Sequence, residues 1–241
     1  MSNYFKFGSA STLDFNMHIE KVPAIKGATR KRTAVPIAGR NGDLHYDEDA
    51  FSNCKQSYEC YFHGDRPTPE QAHAIKAWLS SSGEYMKLED TYDPQYYRMA
   101  TFSGPLDVSN YLNKYGRCTV QFDCAPQCFL KSGEFPVTFS QSGVIINPTS
   151  QKALPLIKVY GYGGSGTVTI GSVVVYIKSI DGELILDCEL EDAYKVVDGE
   201  LSNENGNIHA LDFPKLLPGE NIINFAGTIS KIEIVPRWWE L

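Results

Sequence analysis

Leu211-Asp-Phe-Pro-Lys-Leu-Leu-Pro-Gly-Glu-Asn-Ile-Ile-Asn-Phe225, continued by Ile232-Glu-Ile-Val-Pro-Arg-Trp-Trp-Glu-Leu241, is the most informative stretch of this chain. Pro218-Gly219 is turn chemistry and introduces the apolar run Ile222, Ile223 and Phe225. Further on, Ile229, Lys231 and Glu233 alternate with Ser230, Ile232 and Ile234, the period of a strand with two unlike faces. Pro236 lacks the donor a sheet ladder needs and stops that run, with Trp238 and Trp239 directly beyond. The two runs are expected to form a hairpin.

The region upstream has the same texture. From Pro136 onward, short Val-, Ile- and Thr-rich runs at 156–160, 167–170, 173–177 and 184–188 are separated by Gly, Asn and Pro at regular spacing, which predicts an all-β sandwich. The N-terminal half is also β-rich. Leu13, Phe15 and Met17 alternate, and a basic segment runs into Val35-Pro36-Ile37, so two strands are expected over 13–37. Asn41-Gly42 places a turn at 40–43, and a strand is expected at 57–62. One helix interrupts the pattern, with Thr68 as cap, Pro69 in the first turn, Gln71 completing a capping box and Gly83 ending it. Ala72, Ile75, Trp78 and Leu79 share one face of that helix, and Trp78 is its expected structural anchor; His73 lies off the stripe. Strands are then expected at 84–88, 96–101 and 116–124. The chain therefore reads as two domains, 1–133 and 134–241, with Lys131-Ser-Gly-Glu134 as an exposed linker.

Composition narrows the function classes. The 241 residues are 42% hydrophobic and 21% charged, ordinary for a globular protein, and no run reaches the roughly 18 apolar residues of a membrane span. The start, Met1-Ser-Asn-Tyr-Phe-Lys-Phe-Gly8, shows no secretory signal, so a protein made and retained in the cytoplasm is expected. A net charge of −7 disfavours nucleic acid, and the cluster Lys26, Arg30, Lys31 and Arg32 reads as a solvated strand or a subunit contact. Of the six cysteines, Cys118 and Cys124 alternate with Val120 and Phe122 as core residues. The C-x5-C gaps of Cys54/Cys60 and Cys118/Cys124 do not match zinc spacing, so neither metal nor disulfides are expected.

No constellation announces catalysis. Gly161-Tyr-Gly-Gly-Ser-Gly166 lacks the Lys-Ser/Thr ending of a phosphate loop and is expected to be a flexible hairpin loop. Glu89, Asp90 and Asp93 cluster near Tyr92, Tyr96 and Tyr97, a set that suits either a glycan or a structural turn or subunit contact; Asp93-Pro94 favours the turn. Asp187, Glu189, Glu191 and Asp192 read as a solvated strand end, since the calcium-loop spacing is missing. Gly-x-Ser-x-Gly is absent and the five histidines are scattered, so no enzyme and no cofactor are expected.

The C-terminal Phe213-Pro214, Leu217-Pro-Gly-Glu-Asn221 and Pro236-Arg-Trp-Trp239 resemble the ending of the distal tail proteins of long-tailed bacteriophages. Gly39-Arg-Asn-Gly-Asp-Leu44 resembles that family's Gly-Arg-x-Gly-Asp turn, and Asp93-Pro-Gln-Tyr-Tyr-Arg98 followed by Phe122-Asp-Cys-Ala-Pro-Gln127 extends the likeness through the N-terminal half. The resemblance implies an N-terminal ring-forming (belt) domain and a C-terminal galectin-like β-sandwich. It also implies a homo-hexameric ring in the virion tail joining the tail tube protein to a tail-associated tip protein, with receptor-binding proteins as further partners. Arg30, Lys31, Arg32, Arg40 and Asp43 are then the candidate subunit contacts, and Trp78, Trp238 and Trp239 structural residues. The alternative is a carbohydrate-binding, lectin-like host-recognition protein, with Trp238 and Trp239 stacking on sugar.

Overall fold

A computed structural model describes residues 3–64, 68–111 and 115–241. The protein is mainly β with one α-helix, and it divides into two compact units, Met1–Cys128 and Phe129–Glu240.

In the first unit the strands are β1 (Phe5–Phe7), β2 (Ala10–Ser11), β3 (Met17–Ile19), β4 (Arg30–Val35), β5 (Leu44–Phe51) and β6 (Cys54–His63). Helix α1 (Thr68–Leu79) follows, then β7 (Met86–Asp90), β8 (Tyr96–Phe102), β9 (Val108–Tyr111) and β10 (Tyr115–Leu130). The main sheet runs β2-β1-β7-β8-β10-β6-β3, and β4 and β5 form a separate two-stranded sheet. Its spine is the antiparallel pair β6–β10, in which Cys54 faces Cys124 and Cys60 faces Cys118. Every second residue points inward, so Tyr58, Cys60, Phe62, Val120 and Phe122 are buried with Phe5 and Phe7 of β1 and with Ile75 and Leu79 of α1. Equal C-x5-C gaps on two antiparallel strands thus bring the thiols into two cross-strand pairs. All six cysteines are free and buried, and burial pushes the thiols of Cys118 and Cys124 up to about 12. Such thiols stay protonated and act as small apolar side chains.

The helix forms where its sequence predicts. Trp78 stacks on Phe15 with ring centroids 4.8 Å apart, and its indole N–H donates to the Phe7 carbonyl at 3.3 Å. Gln71 does not close a capping box; its amide donates to the Phe15 carbonyl, tying the helix to a neighbouring turn. The side chain of Thr68, read as the cap, lies outside the described residues. The alternation of Leu13, Phe15 and Met17 does not mark one strand either, because Thr12–Phe15 is a 3-10 turn closed by Asn16 at φ 48°.

The second unit contains β11 (Val137–Phe139), β12 (Gly143–Asn147), β13 (Leu156–Ile170), β14 (Val173–Ile177), β15 (Asp181–Asp187) and β16 (Asp192–Val197). After these come β17 (Glu200–Asn203), β18 (Ile208–His209), β19 (Gly219–Val235) and β20 (Trp239–Glu240). The expected C-terminal hairpin is absent. Both of its runs belong to β19, which pairs along its length with β13, and β13 likewise joins the runs at 156–160 and 167–170. The first half of β13 pairs with β15 and its second half with β14. β19 similarly meets β12 through its first half and β11 through its second.

The inward face changes parity midway. On β13 the buried residues are Ile157 and Val159, then Val168 and Ile170; on β19 they are Ile223, then Ile232 and Ile234. All seven belong to one core, so the sheet turns back over itself at the change and closes as two layers. Register shifts at Gly161 and Gly166 make that corner. Gly227 sits there at φ +82°, and a Cβ on it would fall 2.3 Å from the Ser165 carbonyl oxygen. The glycine segment expected to be a flexible hairpin loop is therefore a bulge inside a continuous strand, glycine-rich because two backbones nearly touch.

Beyond Pro236 the chain is fastened at three adjacent residues. Arg237 adopts φ 57°, its backbone N–H donates to the Gly133 carbonyl, and its guanidinium makes a bidentate pair with Asp187 at 2.7 and 3.0 Å. Trp238 is 5% exposed within the core, and its carbonyl accepts from the Leu130 N–H. The Trp239 indole donates to the Lys152 carbonyl at 2.9 Å. Two expectations change here. Asp187 is a buried ion-pair partner and not part of a solvated strand end, because the guanidinium offsets its desolvation. Lys131–Glu134 is a 3-10 turn with Gly133 buried, where a Cβ would meet the Trp238 nitrogen at 2.5 Å, and not an exposed linker.

Three outcomes are expected. Gly227→Ala should destabilise the second unit by about 1 to 3 kcal/mol, through positive-φ strain and the clash with Ser165, as read by chemical denaturation. Trp238→Ala should cost about 3 to 5 kcal/mol, so a variant that melts like the parent would contradict the core placement. For Asp187, burial is the largest single influence and would raise its pKa, but the Arg237 hydrogen bonds and charge with two backbone N–H donors hold it below its ordinary 3.8. A depressed carboxyl stabilises the fold above the ordinary value and loses that contribution as pH falls through the folded value. Thermal midpoints should therefore fall below about pH 4, and Asp187→Asn should lower the neutral-pH midpoint while flattening this acid limb.

Candidate functional site

Among the described residues the β4–β5 hairpin is an almost fully exposed element. All six residues of β4 are exposed, as are the first six of β5. Its strands carry opposite charge, Arg30, Lys31 and Arg32 on β4 against Asp47, Glu48 and Asp49 on β5. Arg30 bonds Asp47 at 2.6 Å, reaches Asp49 at 3.4 Å and lies 5.4 Å from the Phe51 ring centroid. Hydrogen bonding from Arg30 holds the Asp47 carboxyl below its usual range. Exposed pairs of this kind contribute little stability. The hairpin also exposes Val35, Ile37, Leu44 and Tyr46, the last at 68%. An isolated two-stranded hairpin is marginal in water, and unpaired strand edges with exposed apolar residues are templates for association.

The candidate contact residues all map to this arm. Arg30, Lys31 and Arg32 lie on β4, while Arg40 and Asp43 sit in the exposed loop between its strands, where Gly39 and Gly42 take φ +80° and +83°. The loop spans 36–43 and is wider than a two-residue turn, because the strands stop at Val35 and Leu44. Trp78, Trp238 and Trp239 are far from this surface in role, occupying the packed positions described above. Trp238 is too buried to offer a ring face to a sugar, and Trp239 is half-buried with its N–H already bonded.

The acidic and tyrosine cluster near residue 90 forms a cavity of about 430 Å³ in the first unit. Asp90 organises it: one carboxylate oxygen accepts from the Tyr58 hydroxyl at 2.7 Å, the other from the backbone N–H groups of Tyr92 and Asp93 at 2.8 and 2.9 Å. The turn expected at Asp93-Pro94 follows directly, closed by the Tyr96 N–H donating to the Asp93 carbonyl at 3.2 Å. The buried Tyr58 hydroxyl is pushed well up, first by desolvation and then by the Asp90 charge. Gln56 and Arg98 complete the wall; Gln56 has no local signal in the sequence, and Arg98 stands out there only as the end of the Asp93-Pro-Gln-Tyr-Tyr-Arg98 stretch. Only the pairing of β6 with β10 and of β7 with β8 brings them beside Asp90. Among the described residues no group of three or more His, Cys, Asp and Glu side chains could hold a metal, and no helix is long and apolar enough to cross a membrane.

No family model matches the chain, and no curated protein sequence matches it. Among solved structures, the Dit (gp 19.1) protein of phage SPP1, described as a paradigm of the hub adsorption apparatus in phages infecting Gram-positive bacteria, superposes with a TM-score of 0.74 at 11% identity. That match covers 100% of both chains. A chain of the phage p2 baseplate in its activated conformation with calcium gives 0.54 at 10% identity over 97% of this chain and 98% of that one. The strontium form of the same baseplate gives 0.52 at 10% identity over the same shares. This chain has, along its whole length and in both units, a fold found in phage adsorption-hub and baseplate proteins.

Proposed function

We propose that the protein is a structural component of a long-tailed phage tail tip or baseplate. Its first unit forms a hexameric ring that joins the tail tube to the tip and host-adsorption apparatus. The second unit is a galectin-like sandwich directed to host-recognition partners. The observation that carries this reading is the likeness to a phage hub protein over all of both chains, since a shared core domain alone would leave one unit unmatched. At this identity the likeness is one of fold, and the role is the inference.

The β4–β5 hairpin supports an assembling protein. A basic β4 and an acidic β5 present unlike edges, so one copy's edge complements the other edge of the next. Such a head-to-tail contact closes into a ring when its rotation permits. Its exposed apolar side chains gain about 25 cal/mol for each Å² they bury in that contact. In this reading the protein acts by positioning partners and not by chemistry.

Negative-stain microscopy and light scattering of the purified protein test the proposal. Six-fold rings with an open centre are expected, alone or on co-expression with tail partners. Replacing 30–51 with a short Gly-Ser linker, or reversing charge with Arg30→Glu, Lys31→Glu and Arg32→Glu together, should yield monomers whose thermal transition is nearly that of the parent. A monomer at every concentration, without rings on co-expression, overturns the ring.

A further inference from the structure

Two polar groups, Gln56 and Arg98, line the cavity beneath Asp90 with hydrogen-bonding capacity to spare. Gln56 is 7% exposed, yet its side-chain amide has no hydrogen-bond partner among the described residues, and it lines the cavity. Among the described residues the buried side-chain atoms without a partner are Thr12 Oγ1 and Gln71 Oε1, so the Gln56 amide keeps contact with solvent through the cavity, and its donors and acceptor are open to a ligand there. Arg98 is half-buried in the same wall. Its guanidinium donates to the Cys54 sulfur and to the Lys26 carbonyl, both at 3.3 Å, and no carboxylate pairs with it among the described residues. These are weak acceptors for a group built to make bidentate bonds. Tyr92, Tyr96 and Tyr97 supply half-buried rings around them, and Asp90 and Asp93 supply carboxylate oxygens.

We infer that this cavity binds a neutral, polyhydroxylated ring, one residue of a saccharide. The volume of about 430 Å³ falls in the range of small-ligand sites. The charges within it decide the class of ligand. An anion would face the Asp90 and Asp93 carboxylates, and a cation drawn to them would leave Arg98 unmatched, so a ring of either charge cannot satisfy all three groups at once. A neutral ring with adjacent hydroxyls suits all three groups at once. Hydroxyls both donate and accept, so the Gln56 amide and the Arg98 guanidinium can each bridge two of them while a carboxylate accepts a third. The C–H face of the ring covers tyrosine. The site lies within the first unit, and its occupancy does not depend on the ring proposed above.

Saturation-transfer NMR and titration calorimetry on the full-length protein test this. The panel is glucose, galactose and N-acetylglucosamine, with glucosamine and glucuronate as cationic and anionic forms of the same ring, and a soluble polysaccharide of whichever neutral sugar binds. At least one neutral sugar should bind, and more tightly than its charged counterparts. Tighter binding of the polymer would identify a chain-borne ligand, and equal binding a free sugar. Gln56→Leu should weaken binding at least about tenfold without lowering the thermal midpoint, because the leucine removes an amide the empty fold leaves unpaired. Tyr96→Ala, at the cavity wall, should weaken it as well. The inference is overturned if no neutral sugar in the panel binds, if only a charged form does, or if binding survives both substitutions.

Discussion

The antiparallel ladder between β13 and β19 is the constraint on which the second unit depends. These strands of 15 and 17 residues pair from Leu156 and Val235 at one end to Ile170 and Ile223 at the other, and each half of each strand recruits a different neighbour. A ladder of this length twists strongly and cannot stay flat. The corner at Gly161, Gly166 and Gly227 resolves the conflict by inserting residues on both strands at the same level. Inward and outward positions exchange there, so Val159 and Val168 reach the same core although one is odd and the other even. Side chains could not occupy the corner without parting the two backbones.

The residues after Pro236 close this unit at its opposite end. Arg237, Trp238 and Trp239 each anchor to a different segment: Asp187, the core with the Leu130 N–H, and the Lys152 carbonyl. The left-handed backbone at Arg237 lets three consecutive side chains diverge in this way, which a continued strand would forbid by sending alternate residues to only two faces. The ion pair matters more for what its loss would leave behind than for its own net gain. A buried Asp187 without its guanidinium would be an uncompensated charge.

The first unit divides its surface between order and availability. Its core is dense with aromatic contacts, Phe5 with Tyr58 and Phe7 with Phe122 each at 4.8 Å, and a cross-strand set of protonated thiols. The β4–β5 arm buries almost nothing of its own. In the proposed ring, burial of this exposed, charge-segregated arm would add stability that the isolated unit lacks. The Asp90 cavity differs again, since its walls are fixed by two strand pairings while Gln56 and Arg98 keep unused hydrogen-bonding capacity.

The sequence by itself determined what local chemistry can determine. The helix at α1 followed from its apolar stripe and Pro69, the β character from alternation, the core role of Cys118 and Cys124 from their period, and the turn after Asp93 from Asp93-Pro94. It misread continuity. Glycines at 161–166 and 227 look like breaks between short strands, and a positive φ or a close approach is invisible until the partner backbone is placed, so two long strands read as four short ones. Long-range pairing was equally out of reach. That Asp187 meets Arg237, 50 residues on, and that Gln56 and Arg98 share a cavity with Asp90, depends on strand register, which side-chain period alone leaves open. Only the tertiary structure fixes register, because it is set by which hydrophobic faces can be buried together.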